Sequence, residues 1–220
     1  MAKNNENIKR IIKLIIGISF VLVFYFVNAR QYSYGFLIYL IMAGLSILYY
    51  FIWGKISKVV DLEGISDKWK RNALIGLGLA VLTIVLGKLI PSIGAIGVPS
   101  LSQSIVQVIG ITGRFFIIVV FASFFESVFI VDALTDFFNS FLGFNKIFSV
   151  ISMAVVGASF HFFAYGSSLV SNSGSFFSAF VIFALFGWLA EYQNDLSGVI
   201  TWHGGLNWWI EFGKKILTFA

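Results

Sequence analysis

Seven apolar runs, each about as long as a membrane-spanning helix, limit what this chain can fold into. A helix needs about 20 mostly apolar residues to cross a bilayer. Of the 220 residues 59% are hydrophobic and 11% are charged, and the mean hydropathy is +0.93, far from the balance of a soluble domain. We therefore predict an all-α fold, a polytopic transmembrane bundle of about seven helices that forms one integral-membrane domain over residues 1–220. The runs cover residues 8–28, 33–53, 73–90, 112–130, 146–165, 175–191 and 196–215.

Basic residues are concentrated in two short stretches beside apolar runs. Nine of the 15 lie there: Lys3, Lys9, Arg10, Lys13, Lys55, Lys58, Lys68, Lys70 and Arg71. Short basic stretches next to apolar helices stay in the cytoplasm and meet anionic lipid. We therefore expect a cytoplasmic N-terminus, a cytoplasmic loop over residues 54–72 and no nucleic-acid partner. Charges and apolar residues mix within this loop around Trp69, which predicts an interfacial amphipathic helix.

The start of the chain leaves two readings open, a cleaved signal peptide and an uncleaved first helix. The basic start, the apolar run over residues 11–27 and the stretch from Val27 to Ala29 resemble a signal sequence. Since this run is longer than a usual signal core and a second apolar run follows at once, we favour the uncleaved helix.

The connections after the third run have the residues of turns. Residues 91–103 contain both prolines and no charge, and residues 165–174 are polar but uncharged. We predict external loops at both places. The fourth run continues as an amphipathic pattern beyond Asp132, so we expect its helix to extend toward Leu142 and to stop at Gly143.

Four polar side chains interrupt runs that otherwise read as membrane interior: Glu126, His161, His203 and Asn207. An ionised group at the bilayer centre costs roughly 2.5–3.5 kcal/mol even on mild scales, so such residues face a bundle interior and mark function. His203, Asn207 and Glu211 follow one another at four-residue steps and share one helix face. The two glycines after His203 would let another helix approach this face.

A carboxylate, two imidazoles and a carboxamide are the groups needed to activate a water and to stabilise an oxyanion. Glu126, His161 and His203 also match the ligand set of some catalytic zinc sites, although the close His-Glu-x-x-His spacing of soluble zinc proteases is absent. A divalent metal such as zinc and no metal at all both remain open. The absence of cysteine excludes disulfides, thiolate catalysis and Cys-ligated metals.

The order of Glu126, His161 and the spacing His203-x-x-x-Asn207 on consecutive apolar helices resembles the CAAX-protease and bacteriocin-processing family of intramembrane endopeptidases, also called the Abi family. The resemblance covers about residues 113–213. Members typically carry Glu-Glu-x-x-x-Arg on one helix, Phe-x-x-x-His on the next, and His-x-x-x-Asn or Asp near the last. The resemblance implies that Glu126 and His161 activate the water that hydrolyses a peptide or protein substrate at the membrane. It implies that His203 and Asn207 form the oxyanion site.

The last motif is complete, whereas the first is degenerate. However Glu126 is aligned, the chain lacks one Glu and the Arg, and Gly157 stands where Phe is usual. The second reading is therefore a non-catalytic relative that acts as an immunity or partner-binding membrane protein. The third is a bis-His haem protein with His161 and His203 as axial ligands.

These readings differ in where the polar side chains meet. The protease reading predicts that Glu126, His161 and His203 lie roughly 3–6 Å apart in a polar cavity. Straight helices would separate the two histidines in depth. For a shared site the fifth helix must tilt or begin outside the membrane, or the seventh must start deep after a re-entrant turn at residues 194–198. A separation of more than about two helical turns favours histidines that only pack in the core.

Overall fold

The computed structural model describes residues 2–30, 44, 67–89, 110, 112–113, 115–164 and 173–213. Within these ranges, the side chains of residues 2–4, 20–30, 67, 87–89, 117–118, 161–164 and 173–175 lie outside the description. All regular structure in the described ranges is helical, which confirms the all-α prediction for this part of the chain. The helices are α1 (Ala2–Arg30), α2 (Asp67–Leu89), α3 (residues 115–140), α4 (Lys146–Ala164), α5 (Ser173–Gln193) and α6 (Ser197–Trp208).

Helix α3 is a continuous helix of changing pitch. Two π-helical segments, Phe115–Ala122 and Glu126–Asp132, are separated by the α-helical turn Ser123–Phe125 and followed by the α-helical segment Ala133–Ser140. Helix α6 also passes into a π segment, Trp209–Gly213. A uniformly apolar run contains no signal for such a change of pitch.

Two of the described helices contain stretches long and apolar enough to cross a membrane, Lys68–Leu86 and Phe176–Gln193. A third apolar stretch, Lys146–Phe160, is shorter. The second apolar run apart from residue 44 lies outside the described residues. So do most of the loop over residues 54–72, the turn segment over residues 91–103 and most of the predicted loop over residues 165–174. The full set of seven spans therefore stays a prediction.

Helix α2 begins earlier than the sequence pattern indicated. Trp69 and its charged neighbours, which we had assigned to an interfacial loop helix, belong to the first turn of α2. The early start of α2 results from a contact with α6: Ser197 Oγ donates a hydrogen bond of 3.4 Å to the Trp69 carbonyl, and Asn72 is buried at the same level.

The predicted stop after α3 is confirmed, because the helix ends at Ser140 and Gly143 adopts a φ of 70°.

Charged side chains gather at one end of the bundle, which we call the charged end. Lys13 and Arg10 of α1 form ion pairs with Asp132 and Asp136 near the end of α3, the second pair at 3.2 Å. Lys146 Nζ, at the start of α4, lies 3.5 Å from Glu191 near the end of α5. Among the charged side chains that the structure describes, those away from this end are Glu126 and Glu211.

The ion pairs and close contacts also fix the directions of the helices. Helices α1, α2, α4 and α6 start at the charged end, whereas α3 and α5 finish there. Glycines allow the closest approaches: Gly17 of α1 lies against the Phe129 carbonyl of α3, and Gly76 of α2 lies against the Gly198 carbonyl of α6. Helix α6 therefore packs parallel to α2 and antiparallel to α3.

Candidate active site

Glu126 and His203 meet between the antiparallel helices α3 and α6. His203 Nε2 lies 3.4 Å from Glu126 Oε2, and the two side chains are 8% and 12% exposed. Glu126 lies six residues before Asp132 of α3 and His203 six residues after Ser197 of α6, and their contact places them at the same depth in the bundle. The described structure thus brings together two of the four site residues chosen from the sequence.

Asn207 joins the same region one turn further along α6. Its Nδ2 donates a hydrogen bond of 2.9 Å to Ser123 Oγ, which is fully buried on α3. Ser123 and Glu126 are three residues apart in a helix and therefore share a face. This face of α3 lies against the stripe of α6 that carries His203 and Asn207, as the four-residue spacing predicted.

The backbones of α3 and α6 come close enough to meet because Gly204 carries no side chain. A Cβ atom at this position would lie 3.2 Å from the Val119 carbonyl oxygen and 3.8 Å from Ser123 Oγ. A larger residue would push α6 away from α3 and lengthen the contacts of the neighbouring His203. The expectation from sequence that the glycines permit a close helix approach therefore agrees with this geometry.

Helices α3 and α6 both change from α-helical to π-helical geometry next to the site. Glu126 is the first residue of one π segment, and Trp209–Gly213 follows Asn207 within two residues. Inserted π turns occur frequently at functional sites because they redirect the side chains that follow them. Glu211, which the four-residue spacing places on the same helix face as His203 and Asn207, is 7% exposed and lies in this second π segment.

A layer of aromatic rings supports the His203 side chain. The Phe186 ring of α5 packs on the imidazole with ring centroids 5.0 Å apart, and it also meets Trp202 edge to face at 5.2 Å. Trp202 Nε1 donates to Thr83 Oγ1 of α2 at 3.1 Å. Side chains from three other helices, α2, α3 and α5, thus surround α6 at the level of His203.

His161 belongs to α4, but its side chain lies outside the described residues, so its predicted contact with Glu126 stays a prediction. The backbone of α4 shows how deep His161 lies in the bundle. Gly187, next to Phe186, packs against Met153 of α4, and His161 is eight residues beyond Met153, about 12 Å at 1.5 Å per residue. This is about two helical turns beyond the level of the Glu126–His203 pair, which is the limit set above for a shared site.

Sequence reasoning missed Ser123, although a signal for it was present. A serine three residues before a glutamate on an apolar helix lies on the same helix face as that glutamate, so Ser123 could have been included on helical spacing alone.

Sequence reasoning also assigned Lys13 to a basic flank in contact with lipid. The structure instead buries Lys13, at 3% exposure, against Asp132.

The metal alternative can be judged on the donors that the structure describes. A catalytic zinc ion takes three protein ligands. Within the described residues no three His, Cys, Asp or Glu side chains are placed together so that they could hold one metal ion. Glu126 and His203 supply two donors, and the third would have to be His161. Because the described donors do not complete a site, we derive no step through a metal.

Ser123 provides a direct test of the hydrogen bond to Asn207. Changing Ser123 to alanine removes the acceptor of the Asn207 amide, and we expect the free energy of unfolding to fall by about 1–3 kcal/mol. Ser127 is the matched control, because its buried Oγ has no hydrogen-bond partner among the described residues. Unfolding in mixed detergent micelles would measure both; equal losses for the two variants would contradict the assigned bond.

No family model, no curated protein and no solved structure matches the chain.

Proposed function

We propose that this chain is a multi-pass membrane protein of the CAAX-protease and Abi type that hydrolyses a peptide bond at the membrane, with Glu126 and His203 as its acid–base pair. The observation that carries the proposal is the 3.4 Å approach of His203 Nε2 to Glu126 Oε2. A carboxylate and an imidazole in contact inside an apolar bundle are expensive to keep there, and such residues are usually functional.

The directions of the helices support the multi-pass part of the proposal. Helix α1 leaves the charged end and α2 starts there again. Seven spans would need one further crossing between these two helices, and the apolar run over residues 33–53 is long enough for it. The remaining helices then alternate in direction, as seven spans require. Seven basic side chains lie at the charged end, which the positive-inside rule assigns to the cytoplasm: Lys9, Arg10, Lys13, Lys68, Lys70, Arg71 and Lys146.

In the proposed reaction a water lies between the Glu126 carboxylate and the scissile carbonyl carbon. Glu126 takes a proton from the water while the water oxygen bonds to that carbon, and Asn207 donates a hydrogen bond to the oxyanion that forms. The carbon–nitrogen bond then breaks, and the proton passes from the Glu126–His203 pair to the leaving amine. Ser123 holds the Asn207 carboxamide in place through its 2.9 Å hydrogen bond.

The test compares cleavage by the wild type and by two Glu→Gln variants. The full chain is reconstituted in liposomes with membrane proteins of the expression host, and new N-termini are labelled and identified by mass spectrometry. We expect the same new termini with the wild type and with Glu191→Gln, whose carboxylate lies at the charged end, and none with Glu126→Gln. New termini that persist with Glu126→Gln would contradict the mechanism.

His161 is tested in the same assay with His161→Ala. The family resemblance implies that this change abolishes the new termini, whereas the backbone depth of His161 favours a variant that still cleaves. Persistent cleavage would leave Glu126 and His203 as the acid–base pair.

The second candidate, a non-catalytic relative that binds a partner, is favoured by the burial of the site. His203 and Asn207 are 6% and 5% exposed, and Ser123 takes a hydrogen bond from the Asn207 amide. This candidate predicts that His203→Ala lowers stability by about 1–3 kcal/mol and that no variant changes the set of N-termini. A haem bound through His203 Nε2 would have to displace the Glu126 carboxylate, whose Oε2 lies 3.4 Å away.

A further inference from the structure

An apolar groove runs beside the candidate active site between α2, α3 and α6. Its volume is about 1000 Å³, and it opens to the outside of the described bundle. Gly204, the neighbour of His203, forms part of its wall. The residues that define it best are Trp69, Leu77, Val120, Phe124, Gly204 and Trp208.

The lining of this groove fits hydrocarbon better than a polar ligand. Apolar side chains and glycines make up almost all of it, and Lys70 is the charged residue among them. The hydroxyl of Thr201, which also lines the groove, donates to the backbone carbonyls of Ala73 and Ser197 at 2.9 and 2.8 Å. A peptide or sugar would therefore lose its hydrogen bonds to water on entering and gain few in return.

The length of the groove matches the hydrocarbon thickness of one leaflet of a bilayer. Ser197 lies level with Trp69, because its hydroxyl donates to the Trp69 carbonyl. From Ser197 to Trp208 is eleven residues, about 16 Å along α6. Half of the hydrocarbon core of a bilayer is about 15 Å, so an acyl chain that enters at the level of Trp69 can end near Trp208.

Positive charge at the entrance indicates which lipid the groove takes. Lys68, Lys70 and Arg71 are exposed on the first turns of α2, at the positive end of that helix dipole. Basic residues beside a membrane attract anionic headgroups. We propose that the groove binds one acyl chain of an anionic phospholipid, with the phosphate at Lys70 and Arg71, the chain passing Gly204 and its end near Trp208.

This inference rests on the membrane location included in the proposed function and is independent of peptide hydrolysis. Bound lipid without cleavage would contradict the proposed function alone, and cleavage without retained lipid would contradict this inference alone.

Native mass spectrometry of the full chain tests the inference, after extraction from bilayers with equal amounts of phosphatidylglycerol and phosphatidylcholine. We expect the wild type to retain phosphatidylglycerol preferentially. The double variant Lys70→Gln with Arg71→Gln should weaken that preference by about fivefold for each cation removed. These positions are exposed, so the double variant should fold. An unchanged preference in this variant would overturn the assignment of the headgroup site.

A second pair of variants tests the acyl-chain site. Val120→Phe fills the groove, and Val81→Phe, at an exposed position of α2 outside the groove, is its matched control. We expect the first to lose at least about tenfold in lipid affinity and the second to match the wild type. Equal retention by both variants would overturn the proposal.

Discussion

Replacing Lys13 by methionine is expected to lower the free energy of unfolding by about 3–5 kcal/mol. Lys13 and Asp132 are each 3% exposed and form an ion pair between α1 and α3. Methionine keeps most of the side-chain volume but leaves the Asp132 carboxylate buried without this lysine. Removing one partner of a buried pair costs far more than the pair itself contributes. Unfolding in mixed micelles with increasing sodium dodecyl sulfate would measure the loss.

Two further variants separate the charge effect from packing. The double change Lys13→Met with Asp132→Leu should recover most of the loss, because apolar replacement of both partners of a buried pair is often neutral or stabilising. Lys9→Met, on the same helix, should have little effect, since Lys9 pairs with the exposed Glu6. A loss as large for the double variant as for Lys13→Met would contradict the assigned ion pair.

Changing Gly76 to valine is expected to lower the free energy of unfolding by about 3 kcal/mol or more, at the upper end of the range for overpacking. Gly76 of α2 packs against the Gly198 carbonyl and the Thr201 hydroxyl of α6, so a Cβ atom there collides with backbone that cannot rotate away. The two helices must separate, which breaks the 2.9 Å hydrogen bond from Thr201 to the Ala73 carbonyl. Helix α6 carries His203, so the contact with Glu126 should lengthen as well.

Gly78 is the matched control for this change, two residues along the same helix. It is exposed, and a Cβ atom there would meet no described atom within 4 Å. Valine also has a slightly higher helix propensity than glycine, so Gly78→Val should leave stability unchanged or raise it slightly. Similar losses at both positions, measured by the same unfolding experiment, would show that α2 and α6 do not pack through Gly76.

The helical class and part of the candidate site could be predicted from the sequence because their signals are local. Long apolar runs predict helices, and the helical end before Gly143 follows from a glycine that adopts positive φ. The spacing of His203 and Asn207 places them on one face of a helix whatever that helix packs against. These inferences need only the geometry of a single helix.

The partners across helices could not be predicted, because they depend on how distant segments pack. Lys13 and Asp132 are 119 residues apart in the chain. The sequence does not show whether a lysine or an aspartate faces solvent or a buried partner. The contact of Glu126 with His203 likewise depends on how α3 and α6 pack against each other. The early start of α2 depends on its contact with Ser197, which is also distant in sequence.

The acid–base pair can be tested most directly by nitrogen-15 NMR of the histidine side chains. The chain contains two histidines, so His161→Asn leaves the imidazole signals of His203 alone. In this background Glu126→Gln should change the chemical shifts of those signals, because His203 Nε2 loses a carboxylate 3.4 Å away. Glu191→Gln should leave them unchanged. If Glu126→Gln and Glu191→Gln both give the spectrum of the unaltered background, Glu126 and His203 are not in contact and the proposed catalytic pair does not exist.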